Sequence, residues 1–277
     1  MKLPLYQIDA FAGDVFRGNP AAIVPLDRWL PTPLMQQISA ENNLSETAFF
    51  VLSDDHAEQD PIDLRWFTPK AEVDLCGHAT LASGHILFTT LRPAWRHVSF
   101  STRSGILGVD RLDDGRLAMD FPALTSKPFE SPADLISGLA QVLGPLPVEL
   151  RSGTYLIAVY ESADHIDSLR YNADLEDLIA RAGAWGLCAT APGANDTRFD
   201  FVSRFFAPAK GVPEDPVTGS AHCLLAPYWA ERLGKNQLTA YQASQRGGIV
   251  GCTVKRDRVT LEGACTLYMA GTIMVAD

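Results

Sequence analysis

Glu46 stands at the mouth of Thr47 to Leu52, TAFFVL, a run apolar enough to be a buried strand. A carboxyl pressed against apolar neighbours has its charged form disfavoured, and such a group can take and return a proton. The alternative is a strand-end glutamate turned to solvent. Cys76, Gly77 and His78 open a helix candidate. A thiol at a helix start sees the positive end of the dipole and ionises more readily, whereas a buried cysteine can also serve as a small hydrophobe. Asp215, Thr218, Gly219 and Ser220 form a similar turn in the second half. There Asp215 suits an amine or hydroxyl, and Ser220 with the Gly219 N–H suits a carboxylate; a simple Asp and Thr helix cap is the plain alternative. Cys76, His78 and His85 make a poor metal set, because no carboxylate or second ligand pair lies at a recognised spacing.

The two glycine turns belong to a repeat. FTPKAEVDLCGHATLASGHIL, Phe67 to Leu87, is answered by FFAPAKGVPEDPVTGSAHCLL, which ends at Leu225. Arg65, Phe67 and Pro69 recur as Arg204, Phe206 and Pro208, 139 residues later. Gly77 and Ala79 match Gly219 and Ala221 at 142, and Arg103, Gly105, Ile106 and Gly108 match Arg246, Gly248, Ile249 and Gly251 at 143. Small steps in the offset are what a duplicated unit with a few insertions leaves. Each copy runs from an apolar strand through a Pro and Gly turn into a helix, so each offers backbone N–H groups at a helix start as an anion site. Two such sites facing each other across a pseudo-twofold cleft would hold a small acid.

The elements that must position these groups follow from pattern. Strands are expected at residues 3 to 12, 21 to 26, 47 to 52 and 62 to 67, with a helix capped by Thr32, carrying Pro33 first and ending near Asn42 and Asn43. The helix after Cys76 runs to about Leu91, and strands follow at 97 to 102, 105 to 110 and 116 to 121, the last two joined by the Asp113, Asp114, Gly115 turn. Residues 122 to 132, with three prolines, read as a linker. Beyond it come a helix capped by Ser131 and Pro132 to about Leu143, a strand at 155 to 160, a helix at 173 to 182, a strand at 199 to 206, a helix at 219 to 233, and strands at 248 to 255, 258 to 262 and 267 to 276.

At 277 residues there is chain enough for two cores. A net charge of −10 leaves no basic stripe for nucleic acid, while a local pocket can still oppose the global charge and take an acidic substrate. The opening MKLPLYQIDAF places Asp9 where a signal peptide needs its apolar core, and no stretch reads as a membrane span. Five cysteines, an odd number without CxxC spacing, suit reduced thiols in a cytoplasm.

The segments YQIDAF with RGNPAAIV, NLSETAFF, WFTPKAEVDLCGHATLA and EDPVTGSAH together resemble the phenazine-biosynthesis isomerase (PhzF-like) family, of the diaminopimelate-epimerase and proline-racemase fold, over essentially the whole length. The resemblance implies an α/β (α+β) protein of two similar pseudo-twofold-related domains, each a curled, mostly antiparallel sheet around a central helix. Their expected extents are 1–122 and 123–277, with the last strand free to cross back to the first. It also implies no cofactor and, as is usual in the family, a homodimer; no metal is expected from the spacing of the Cys and His residues. In the family the glutamate of NLSET shuttles the proton, which maps to Glu46. The histidine of GHAT maps to His78, and the second motif brings Asp215 and Ser220 to the substrate; Asn19, Ser45, Cys76, Gly77 and Gly219 stand in the matched segments as further substrate-binding candidates. The racemases of this fold use two cysteines, and here the second position falls at Pro216 and Val217, so a two-thiol racemase is not expected. The reading is a cofactor-independent isomerase in which Glu46 moves a proton within a small carboxylate-bearing substrate held between the two helix starts. The alternatives are an epimerase pairing Cys76 with Glu46, and a binding protein on the same fold.

Overall fold

One short apolar helix, Gly77–Ile86, organises the first part of the chain. The structure, a computed structural model, describes residues 1–130, 133–194 and 198–275. It divides into two compact units, Met1–Asp120 with Glu262–Asp277, and Phe121–Leu261.

In the first unit β1 (Lys2–Ala10) pairs antiparallel with β2 (Asn19–Leu26), and β2 pairs in parallel with β3 (Glu46–Val51). Buried on both faces, β2 and β3 are near-continuous apolar runs, as a parallel pair between covering layers requires. Between them α1 (Thr32–Asn42) ends at Asn43, which adopts the left-handed conformation at φ 49°. Its N-cap is Pro31 rather than the expected Thr32, and Thr32 Oγ1 accepts a bond from Arg65 Nη2 at 3.1 Å instead of capping the helix. β4 (Ile62–Phe67) runs antiparallel to β3 and turns into the short β5 (Glu72–Val73), which leads into α2 (Gly77–Ile86) and a π-turn at Leu87–Leu91. β6 (His97–Thr102), β7 (Gly105–Arg111) and β8 (Leu117–Pro122) complete a meander, with Gly115 at φ 86° in the tight turn before β8.

α2 carries no polar face. Residues His78 to Gly84 and Ile86 are all buried, and the helix touches β1, β2, β3 and β7, so the sheet curls around it. Small residues make this possible: a Cβ at Gly84 would meet Val109 Cγ1 at 2.9 Å. On another face of the sheet α1 covers a core of Leu3, Leu5, Val24, Met35, Ile38 and Phe49.

The second unit contains β9 (Lys127–Pro128), α3 (Ala133–Leu143), β10 (Glu149–Ser152), β11 (Leu156–Val159), α4 (Ala163–Ser168), α5 (Leu175–Arg181), β12 (Leu187–Pro192), β13 (Phe201–Ala207), β14 (Val212–Asp215), α6 (Gly219–Leu233), β15 (Gln237–Gln242), β16 (Gly248–Lys255) and β17 (Arg258–Gly263). The cap expected at Ser131 and Pro132 lies outside the described residues. β10, β12, β14, β15 and α4 escaped the sequence pattern: each is four to six residues long, and periodicity over so few residues separates neither strand from loop nor helix from turn.

The order of pairings repeats the first unit. β10–β11 is antiparallel, β11–β12 parallel, β12–β13 and β13–β14 antiparallel, β13–β15 parallel and β15–β16 antiparallel. β1–β2, β2–β3, β3–β4, β4–β5, β4–β6 and β6–β7 show the same succession. α6 matches α2, buried from Ala221 to Ala226 and packed on β15 and β16. Pro227 inside α6 leaves the Cys223 carbonyl without its helical donor, and the Leu124 N–H supplies one at 3.0 Å. The final strand, β18 (Cys265–Met274), returns to the first unit and pairs antiparallel with β1, so the second unit ends at Leu261 and not at the chain's end.

Candidate functional site

β2 and β3 run in parallel, so their first residues come together: Glu46 pairs with Ala21, and Ser45 Oγ donates to Asn19 Oδ1 at 3.1 Å. The β4–β5 hairpin that delivers the chain to α2 is clamped by Arg65, whose Nε and Nη2 donate to the two oxygens of Glu72 at 2.7 and 2.8 Å while its guanidinium stacks 5.2 Å over Phe67. From this clamp the backbone enters Cys76, the extended N-cap of α2, where no side chain caps the first turn. Thr80 Oγ1 ties the helix start by donating to the Cys76 carbonyl at 2.6 Å.

These constraints bring Glu46, Cys76 and His78 together. His78 Nε2 lies 3.1 Å from Glu46 Oε2, and Cys76 Sγ lies 3.5 Å from His78 Nδ1 and 3.9 Å from Nε2. The His78–Glu46 contact is an ion pair without the in-line geometry of a hydrogen bond: Oε2 is buried and accepts none among the described residues. Glu46 still keeps 19% of its side chain exposed, so it is reachable, whereas Cys76 and His78 are buried.

Burial by itself would lower the His78 pKa, but negative charge on Cys76 and Glu46 outweighs it and holds the imidazole well above its usual range. Burial, reinforced by the Glu46 charge, pushes the Cys76 thiol up to about 11. Near neutral pH Cys76 is therefore a thiol, so of the two charges that raise His78 the larger, that of a Cys76 thiolate, is absent there and Glu46 remains to oppose burial. The helix start does not produce the ready thiolate that position suggested, because desolvation exceeds the favourable contacts from His78 and the helix backbone.

In the second unit the same clamp recurs: Arg204 Nε and Nη2 donate to Glu214 at 2.6 and 2.8 Å, with the guanidinium 5.2 Å over Phe206. The turn that follows is held by Gln242, which is fully buried. Its Oε1 accepts the Thr218 N–H at 2.9 Å, and its Nε2 donates to the Asp215 carbonyl at 2.7 Å. Thr218 is the N-cap of α6, yet its hydroxyl donates to Asp215 Oδ2 rather than capping the helix. Ser220 Oγ bonds the Tyr155 hydroxyl at 2.8 Å, and burial pushes that phenol up to about 12, so it stays protonated. His222 Nδ1 donates to the Thr218 carbonyl at 2.8 Å, in the place of Thr80 in the first unit.

Asn19, Ser45, Glu46, Cys76, Gly77 and His78 thus gather in the first unit, and Asp215, Gly219 and Ser220 in the second. His85 stands apart, two helical turns beyond His78. The one set of three metal-binding residue types among the described residues is Glu46, Cys76 and His78, whose ligand atoms lie within 4.8 Å of one another. There the sulfur flanks the ring instead of extending the axis of either nitrogen. Sequence reasoning missed Gln242 and Tyr155, which lie 24 and 65 residues from their partners and carry no local signal. The Arg–Glu clamps were within reach, since Glu72 and Glu214 repeat at the 142-residue offset of the glycines.

The family model described as "Phenazine biosynthesis-like protein" matches residues 8–271. A Pseudomonas aeruginosa protein described as an uncharacterized isomerase is 47% identical over 274 residues, covering 99% of each chain. The crystal structure of a phenazine biosynthesis protein of the PhzF family from Enterococcus faecalis matches with a TM-score of 0.90 at 38% identity, over 99% of this chain and 100% of that one. A hydroxyproline epimerase from Agrobacterium vitis matches at a TM-score of 0.56 and 9% identity, over 100% of this chain and 93% of that one, which is likeness of fold.

Proposed function

The chain belongs to the phenazine biosynthesis-like family, and from that premise we propose that it is a cofactor-independent isomerase whose acid and base is Glu46. The observation that carries the reading is the 3.1 Å approach of His78 Nε2 to a Glu46 oxygen that is buried and accepts no hydrogen bond among the described residues. That oxygen has electron pairs to offer to a proton.

In this reading the Glu46 carboxylate removes a proton from a carbon conjugated to the substrate carboxylate. The bonding pair moves into the conjugated system, and the same carboxyl returns the proton to a second carbon. Atoms and electrons balance without an oxidant. His78, 3.1 Å from Glu46 Oε2, orients that carboxyl and, when protonated, opposes the negative charge that develops on the substrate. The uncapped N–H groups at Gly77 and His78 receive an anionic group, with Asn19 and Ser45 at its margin. Asp215, Gly219 and Ser220 are proposed as substrate-binding groups at their own helix start. A homodimer, and a reducing compartment such as the cytoplasm for five unpaired thiols, complete the proposal. No helix of the described residues is long and apolar enough to cross a membrane.

The rival epimerase needs Cys76 as a thiolate, and burial works against that. The test is incubation of the protein with a pool of small carboxylic metabolites in deuterated water, read by mass spectrometry. Uptake of carbon-bound deuterium is expected, and its absence across the pool would favour a binding protein.

A further inference from the structure

Tyr155, in the second unit, is a buried phenol whose hydroxyl has one partner among the described residues. It immediately precedes β11, where two other rings pack edge-on against it: Phe205 with centroids 4.8 Å apart and Trp185 at 5.0 Å. Space beside the ring is tight, since a Cβ at Gly186 would meet Phe205 Cζ at 2.9 Å and Tyr155 Cδ1 at 3.2 Å. These contacts fix the ring and, with it, the hydroxyl 2.8 Å from Ser220 Oγ. Phe205 also pairs with Asp215 across β13 and β14, so the aromatic group holds both ends of the turn that carries Asp215 and Ser220.

Each hydroxyl of this pair has one proton, so one of the two donates. A phenol is a stronger acid than an aliphatic hydroxyl, hence the better donor and the poorer acceptor, and burial keeps the Tyr155 proton in place. The Ser220 proton is then left pointing away from Tyr155. In α2 the hydroxyls of Thr80 and Ser83 turn back to carbonyls four residues earlier, at 2.6 and 2.8 Å. Ser220 makes no such bond among the described residues; the carbonyl four residues before it, that of Pro216, accepts from Ser244 Oγ at 2.7 Å instead. No side chain caps the first turn of α6, and the Thr218 hydroxyl is engaged by Asp215 Oδ2. The Ser220 O–H therefore joins the N–H groups of Gly219 and Ser220 as a set made of donors only.

We propose that Tyr155 is a positioning residue: by donating its hydroxyl proton to Ser220 Oγ, it holds the Ser220 hydroxyl as a donor to an oxygen of the substrate. This inference rests on the reading of Ser220 as a substrate-binding group. The group that fits such a set is one that only accepts, such as the substrate carboxylate. Without the phenol proton Ser220 is free to turn its own proton back toward backbone carbonyls and to present lone pairs to that oxygen, which repels it. Tyr155 touches no substrate atom and moves no proton in this scheme, so its loss weakens binding more than chemistry.

The test is a double-mutant cycle of Tyr155→Phe and Ser220→Ala in the full-length protein, run on the metabolite that takes up deuterium with the parent. Tyr155→Phe alone keeps the ring and should raise KM about three- to tenfold with kcat within about twofold of the parent. In the Ser220→Ala background the same change should move KM by less than about twofold, because no hydroxyl is left to orient. A merely structural ring would cost the same in both backgrounds, so equal losses there, or a KM that Tyr155→Phe leaves unchanged, overturn the proposal. Neutron diffraction from parent crystals grown in deuterated water reads the pair directly and needs no substrate. A deuteron on Tyr155 Oη aimed at Ser220 Oγ is expected, and one on Ser220 Oγ aimed at Tyr155 overturns the proposal. A parent that takes up no deuterium overturns the isomerase reading alone, and the neutron map then decides the hydroxyl pair, as it does should Tyr155→Phe misfold.

Discussion

Replacing Glu46 by Gln keeps the shape and polarity of the side chain and removes its ability to take a proton. A positioned acid or base contributes about 10²- to 10⁴-fold in rate, so deuterium uptake should slow by at least about two orders of magnitude, roughly 3–5 kcal/mol of barrier. The structure adds a second consequence. His78 is buried, and the Glu46 carboxylate 3.1 Å away is, after Cys76, one of the two charges that raise its pKa against that burial. In the Gln variant one of the two charges that oppose burial is gone, and His78 should titrate below its parent value. The assay pairs the deuterium measurement with an NMR titration of the histidine ring carbons. Binding should change little, because the amide fits the same space. A Gln variant that exchanges at the parent rate refutes Glu46 as the acid and base. A His78 that titrates as in the parent refutes the electrostatic coupling on which its role rests.

Cys76→Ser should retain deuterium uptake within about threefold, because a thiol pushed up to about 11 supplies no base near neutral pH; abolished uptake in a folded Ser variant would instead support the epimerase. Stability should fall on the alkaline side. His78 is raised in the folded state, so its contribution is fully present below its unfolded value near 6.5 and is lost as pH rises through the folded value; Cys76, raised to about 11 from about 9, adds a loss between those two. Thermal midpoints of parent and Glu46→Gln, compared from pH 6 to 11, check this, since the His78 part should shrink in the variant. Gln242→Leu strips the Thr218 N–H and the Asp215 carbonyl of their partner in a fully buried place and should cost about 2–4 kcal/mol in denaturant unfolding. A loss under about 0.5 kcal/mol would mean the turn before α6 is held by other contacts.

What the sequence determined by itself is what local chemistry and repetition can encode. The apolar runs at TAFFVL and through α2, the glycine turns at Gly77 and Gly219, and the 139- to 143-residue offsets made two similar α/β units and the candidate site around Glu46 legible. Each is a property of neighbours along the chain or of a copied segment, and neither needs a contact to be known. The burial of Cys76, the pairing of His78 with Glu46 across 32 residues, and the bonds of Gln242 and Tyr155 to the second turn were decided only by the tertiary structure. The same holds for β18, whose alternation could not tell that it returns to β1 or that both its faces meet solvent. A pKa depends on the charges and the solvent excluded around a group in three dimensions, and strand partners are chosen by packing at long range. Neither quantity is written in the order of residues nearby.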